Sequence, residues 1–562
     1  MTPPALPTPP NFPVAWRYPA EEKLLWRHDR EHYPHQVTPL EYSLIEQGMN
    51  AGLAKAAHTY DMPISIHDRH INGYLYIATE QHALWVPESA TPAQGSFAKL
   101  NNAMAGLLTS WETTWLPEIQ QHLAWWVAFD RAAATIPTLQ QHLTETLQRW
   151  QRLWEVHFLL VVPSMFAMSE FADLYTDLFE NADQFAPHKL LSGFPSKTLE
   201  SSQQLWALSR RILASPVALR AFLGNTAGDV IGQLTSCAEG VPFVNELTQY
   251  LELHGQRADK LSLHDPYWVE DPTPVINNLR NYIQQPDRNL LEEMQEITRQ
   301  RELYTSKLHT DVKNYPQPVR DQVNFLLQAA QAGAFLAEEH GYWIDYKASY
   351  CVRQVLLAIG GRLEAEGVLA ENDDLFYLYL DEVQELLVSN GATDQFSTEC
   401  RRRIEVRKAE AERFAKVAPP ALLGTVPVGS AQGTRDPITE MFRKWEGEIS
   451  ALADTSDLLV GSAGSPGIVR GIVKVVHQLS EATKVQPGDI LVADTTAPPW
   501  TPLFATVGGL VTNSGGILSH SAVVAREYRI PAVVGVGTAT QRLQDGQLVE
   551  VDGTRGTVRI LE

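Results

Sequence analysis

The chain has 562 residues, with 45 Lys and Arg against 66 Asp and Glu, a net charge of −21 and 44% hydrophobic residues. That length predicts several lobes with large apolar cores, and the charge opposes a polyphosphate backbone, whose binding needs clustered cations, so no nucleic-acid partner is expected. Three cysteines, Cys237, Cys351 and Cys400, lie far apart and in no C-x-x-C pair. They argue against a disulfide framework or thiolate zinc site and for a reducing compartment.

The N-terminus, Met1-Thr2-Pro3-Pro4, has neither the basic nor the apolar stretch of a secretory signal. The longest apolar run, about Phe158–Met168, contains Pro163 and Ser164 and is too short to span a bilayer. A cytoplasmic protein with no membrane partner is expected. The first dozen residues are Pro-rich and read as an extended tail, within an N-terminal arm over residues 1–40. Helical periodicity dominates a body over residues 41–416. Leu290, Met294, Ile297, Arg301 and Tyr304 mark one stripe, after Pro286 and Asp287, and Val323, Leu326, Ala330, Ala334 and Ala337 another. Asn72-Gly73 between β-prone runs predicts a hairpin within Ile64–Ala78.

Residues 417–456 are rich in Pro, Gly and small side chains and read as a linker, with a short helical segment around Trp445. Over residues 457–562 the period becomes two. Strands are predicted at Ile468–Val476, Asp489–Asp494, Gly509–Asn513, Ala532–Val536, Leu548–Asp552 and Thr557–Ile560, with one helix at Ser521–Tyr528. This segment carries a net −1, leaving −20 upstream. A neutral β-rich unit on a linker to an acidic helical body predicts two parts able to move relative to each other.

The segment Gly515–Glu527 (GGILSHSAVVARE) concentrates the chemistry. Two glycines allow backbone N–H groups to approach an anion, and His520 stands where a helix begins. The positive end of that helix favours phosphate over an imidazolium, so a neutral His520 is a nucleophile near neutral pH. Gly515 and Gly516 are expected to bind phosphate, with Ser519 and Arg526 as further donors. The bland alternative is a capped helix with an exposed histidine.

Ser465-Pro466-Gly467-Ile468, Pro487-Gly488-Asp489-Ile490-Leu491-Val492, Thr496-Ala497-Pro498-Pro499-Trp500 and Gly515–Glu527, in that order, resemble the swivelling phosphohistidine domain of the phosphoenolpyruvate-utilising enzymes. The body is similar, less tightly, to the substrate-binding regions of rifampin phosphotransferase and the phenylphosphate synthase alpha subunit. The pieces are Trp26, Asp29, Thr38-Pro39-Leu40, His254-Gly255-Gln256-Arg257, Pro266-Tyr267-Trp268 and Asp373–Leu378. The resemblance implies that His520 is the phosphorylated residue. Leu518 stands where the family commonly has Thr, which excludes regulation through that Thr.

There is no G-x-x-x-x-G-K-[ST] loop. Neither a nucleotide-binding domain before the body nor a phosphoenolpyruvate barrel after it is expected. The resemblance therefore implies a donor in trans, a separate ATP-grasp-type subunit that holds ATP and Mg²⁺, with no cofactor or metal held tightly by this chain. On the acceptor side, His254 and Arg257 are candidates for base and phosphate clamp, against a structural His/Arg pair. His340, Tyr342, Trp343, Asp345 and Arg353 are candidates for the acceptor pocket, with core packing as the competing reading. His28 and His32, four apart, would share a helix face, but with His35, His67 and His70 they read as surface or capping groups. The runs Glu338-Glu339 and Arg401-Arg402-Arg403 read as solvated helix faces.

The expected architecture is multidomain, α plus α/β: a mostly α-helical body followed by a C-terminal swivelling β/β/α phosphohistidine domain. The expected function is a phosphotransferase subunit passing a phosphoryl group from His520 to a small aromatic or apolar alcohol or phenol. Two alternatives stand beside it. One is a phosphohistidine carrier or regulatory protein without a small-molecule acceptor. The other is a subunit that phosphorylates an alcohol to activate it for elimination or carboxylation.

Overall fold

The computed structural model describes residues 6–62, 64–81, 98–180, 183–224, 226–388, 394–426, 437–447 and 457–561. Parts of the expected linker, 427–436 and 448–456, lie outside the described residues. The chain forms two compact units. The first comprises residues 1–163, 261–265 and 343–435, and the second 164–260, 266–342 and 436–562.

The first unit combines helices with a four-stranded sheet. Ile64–Ile71 and Tyr74–Gln81 pair antiparallel over eight positions. Asn72 and Gly73 both have positive φ, 53° and 87°, as a two-residue turn with the twist of its strands requires. Leu25–His28 and Leu422–Gly424 extend this sheet, so part of the expected linker is a strand. Within the Pro-rich start, Leu6 and Phe12 are tied to the sheet, Leu6 by its N–H donating to the Gly424 carbonyl. Phe12 is fully buried against Tyr74, Tyr76 and Phe414, because its ring completes an aromatic core that the sheet alone leaves open.

One helix, Ile136–Leu178, is long and apolar enough by composition to cross a membrane, but 61% of its apolar window is buried inside the protein. It contains Pro163, where the chain passes from the first unit to the second.

In the second unit the eight-stranded sheet runs in the order Leu458–Val460, Thr557–Ile560, Leu548–Asp552, Ile468–Val475, Ile490–Ala493, Gly509–Thr512, Ala532–Val534, Ser462–Ser465. The four strands from Ile468 to Val534 run parallel to one another, and this group is flanked on each side by an antiparallel strand. The central ones are buried along their whole length, which explains their unbroken apolar sequences. Each of the six expected strands is present within two residues. The two edge strands not expected, Leu458–Val460 and Ser462–Ser465, are only three and four residues long, too short to show a period, and the second is made of Ser, Ala and Gly. Helices of the same unit share a continuous apolar core with this sheet, in which Trp268, Val275 and Leu279 belong with Trp500, Leu503 and Phe504. The indole of Trp500 donates to the Asp259 carbonyl.

Candidate functional site

His520 is the first residue of the helix His520–Glu527, reached from the C-terminal end of the parallel strand Gly509–Thr512. That end of an open α/β sheet is where loops and helix N-termini converge. Ser519 caps the helix by accepting from the Ala522 N–H, and its side chain is fully buried. Gly515 takes a φ of 100°, open to glycine. At Gly516 the reason is space, since a Cβ would lie 2.2 Å from the Lys444 carbonyl oxygen.

The loop is stapled to the helix Pro437–Glu446. The N–H of Gly516 donates to Trp445 O at 2.7 Å and that of Leu518 to Lys444 O at 2.9 Å. Lys444 is itself buried and donates through Nζ to Ser169 Oγ and Asp173 Oδ1. The Gly516 N–H, expected to face an anion, therefore holds the loop in place. Gly516→Ala should cost about 1–3 kcal/mol by overpacking, read as a lower denaturation midpoint; an unchanged midpoint would mean that the staple contributes nothing.

His520 is not exposed, as a loop-to-helix junction would suggest, because a second helix covers it. Its side chain is 12% accessible, and Nδ1 lies 2.9 Å from Glu338 Oε1 on the helix Gln317–Gly341. Glu338 is not solvated either. Burial works to raise its pKa, but His520 foremost, with His340 and Thr198, holds it below the usual range. A carboxylate in the last turn of a helix is opposed by the helix dipole, so this position needs its cationic or N–H partner. Glu339 is buried as well and accepts from the Lys197 N–H. A trace of this was present in the sequence. Glu338 continues the Ala330, Ala334 spacing by four, which places it on the inward stripe.

Arg526 is held by backbone, its guanidinium donating to Gly464 O and Ile517 O, and burial brings its pKa down to about 10. It braces the loop that carries His520. Glu527 accepts from the Gly193 N–H, and burial, followed by the charge of Glu338, pushes its pKa up to about 7. An acid with a raised folded pKa contributes stability that is present below its unfolded value near 4.5 and lost as the pH rises through about 7. Melting temperature should therefore fall more steeply between pH 5 and 7.5 in the native chain than in Glu527→Gln. Parallel profiles would refute this.

The acceptor candidates separate. His254 and Arg257 are together but interior, 0% and 2% exposed. Arg257 donates to Lys197 O and lies 5.4 Å over the Tyr342 ring, while His254 Nε2 is 3.8 Å from Glu200 Oε1. His340 is also in this unit. Its Nδ1 is 2.6 Å from Leu336 O, a group that only accepts, so Nδ1 carries the proton and Nε2 is the basic nitrogen. Trp343, Asp345 and Arg353 belong to the first unit. There Asp345 pairs with His157 at 3.0 Å, and Arg353 donates to the carbonyls of Leu263 and His264. His28 ends a strand and His32 pairs with Asp29, so the two share no helix face.

A histidine at a helix N-terminus, on the crossover of a mixed sheet, is the arrangement to set beside known families. Residues 485–556 match the family model described as PEP-utilising enzyme, mobile domain, and residues 157–338 match the rifampicin phosphotransferase fourth domain. These two stretches are thus similar to the mobile domain of the phosphoenolpyruvate-utilising enzymes and to a helical domain of rifampicin phosphotransferase.

Among its relatives, a chondramide synthase of Chondromyces crocatus is 40% identical over 99% of this chain and 14% of the relative. An uncharacterised phosphotransferase, YvkC, of Bacillus subtilis is 28% identical over 93% of this chain and 60% of its own length. The rifampicin phosphotransferase of Streptomyces sviceus is 30% identical over 66% of this chain and 40% of the relative. The chain spans less than two thirds of the length of each.

Proposed function

We propose that this chain is a phosphotransferase component in which His520 Nε2 receives a phosphoryl group and passes it to the hydroxyl of a small aromatic or apolar compound. The observation that carries the proposal is the His520–Glu338 pair at the helix N-terminus. With Nδ1–H donated to Glu338, the imidazole is fixed in the tautomer whose Nε2 lone pair attacks phosphorus. Names of relatives that include the word phosphotransferase support the same reaction class.

In loading, Nε2 forms a bond to phosphorus as the donor's bridging oxygen leaves with its electron pair. A separate ATP-binding partner supplies that donor, with Mg²⁺ accompanying the nucleotide there. In discharge, the acceptor oxygen bonds to phosphorus and the P–N bond breaks, its electron pair returning to Nε2. The acceptor proton goes to a base, for which His340 is proposed because its Nε2 is held as an acceptor. Glu338 keeps Nδ1 protonated throughout, which makes the imidazole the better leaving group. His254 and Arg257 act from the interior, placing Tyr342 and the Lys197 backbone.

The test is intact-mass analysis under alkaline conditions after incubation with an ATP-supplied cell extract. A chase follows with a panel of phenols and aromatic alcohols, rifampicin among them. Addition of one acid-labile phosphoryl group, and its loss to one member of the panel, supports the proposal. Loading that no hydroxyl compound discharges would favour a carrier or regulatory role, and absence of loading from ATP or phosphoenolpyruvate would refute the phosphohistidine step. His340→Gln should load normally and discharge about 10²-fold more slowly, the range of a lost general base.

A further inference from the structure

The second unit contains a cavity of about 560 Å³, a volume in the range that small-molecule sites occupy. Its apolar lining includes Phe194, Leu290, Met294, Ile297 and Phe335. Its charged lining is one-sided: Glu200, Glu293, Glu339 and Glu527 against Lys197 and Arg301.

Both cations are already engaged. Arg301 donates to the carbonyls of Ser192 and Gly193 and lies 4.0 Å over the Phe194 ring. Lys197 Nζ pairs with Glu200 at 2.6 Å, and Glu293 takes Arg288 at 2.7 Å. Glu527 instead accepts from a backbone N–H, that of Gly193. A partly buried carboxylate facing an apolar cavity is costly when ionised. Its pKa of about 7 records that cost.

We propose that this cavity binds a small amphipathic cation, an apolar or aromatic body bearing a protonated amine, with the amine against Glu527 and the body among Phe194, Met294 and Phe335. Amine binding at this site is measurable without phosphoryl transfer. Its place is informative nonetheless. Glu527 ends the helix that His520 begins, and Glu339 follows Glu338, so an occupant ties the His520 helix to the helix Gln317–Gly341.

Phenylbutylamine is the probe, with phenylbutanol and phenylbutanoate as shape-matched controls, titrated calorimetrically into the full chain at pH 7.5. The amine should bind saturably at one site and the alcohol about tenfold more weakly, the order of one charge-assisted contact. The carboxylate should not bind. Glu527→Gln should weaken the amine by about tenfold and leave the alcohol unchanged. Filling the cavity with Met294→Trp, or with the rim substitution Leu291→Trp where the former does not fold, should abolish both. Equal affinity for the three probes, amine binding indifferent to Glu527→Gln, or no binding of the amine would overturn the proposal.

Discussion

His520→Ala should abolish phosphoryl loading completely, so that mass analysis finds no phosphorylated species under conditions that load the native chain. His520 is the one residue of this helix, HSAVVARE, with an aromatic ring nitrogen, so the expected effect is total rather than graded. The substitution will not be silent for stability. It leaves Glu338, 16% accessible, without its Nδ1–H donor, and a buried carboxylate that loses a partner costs about 1–3 kcal/mol. The melting temperature should fall accordingly, whereas His520→Gln, which keeps an N–H donor, should recover part of the loss and none of the loading. A loaded His520→Ala protein would refute the mechanism at its first step. Phosphorus–proton NMR of the loaded native chain should place the phosphoryl group on Nε2. A phosphoryl group on Nδ1 would mean that Glu338 does not orient the ring during loading.

Glu338→Gln should separate discharge from stability. The amide retains size and a hydrogen-bonding oxygen, so the fold should change little, but the charge that keeps Nδ1 protonated is gone. A charge-assisted hydrogen bond contributes about 1.5–3 kcal/mol, so transfer to an acceptor should slow by about 10- to 100-fold. The discharge rate of the variant should also fall off at lower pH than that of the native chain, as Nδ1 loses its proton more easily. A merely structural Glu338 would leave that pH profile in place, and Glu338→Gln would then behave as the native chain does. Glu338→Ala serves as the reference for loss of the contact itself.

Much of the C-terminal architecture was legible from local pattern. Runs such as Ile490–Ala493 and Ala532–Val534 are apolar throughout because both faces of a central parallel strand are covered. Pro487-Gly488 and Asp545-Gly546 punctuate the strands because Gly488 and Gly546 adopt positive φ. The hairpin at Asn72-Gly73 follows from the same chemistry. His520 was legible too, since glycines, a capping serine and a helical run occur within one short stretch.

What the sequence could not show is what long-range packing brings to these local features. Glu338 and His520 are 182 positions apart, and only the fold sets a carboxylate against an imidazole. Gly516 reads as an anion-binding glycine, yet its N–H and its missing Cβ both serve a helix some way upstream in the chain, at Lys444 and Trp445. Phe12 reads as part of a tail until Tyr74 and Phe414 are placed around it. By itself the sequence determined the strand order along the C-terminal unit and the place of His520 at a helix start, because these rest on spacing within a few turns of chain. Tertiary structure decided the partner of that residue, the burial of His254 and Arg257 and the carboxylate-lined cavity, because burial and charge pairing depend on segments that are neighbours only once the chain has folded.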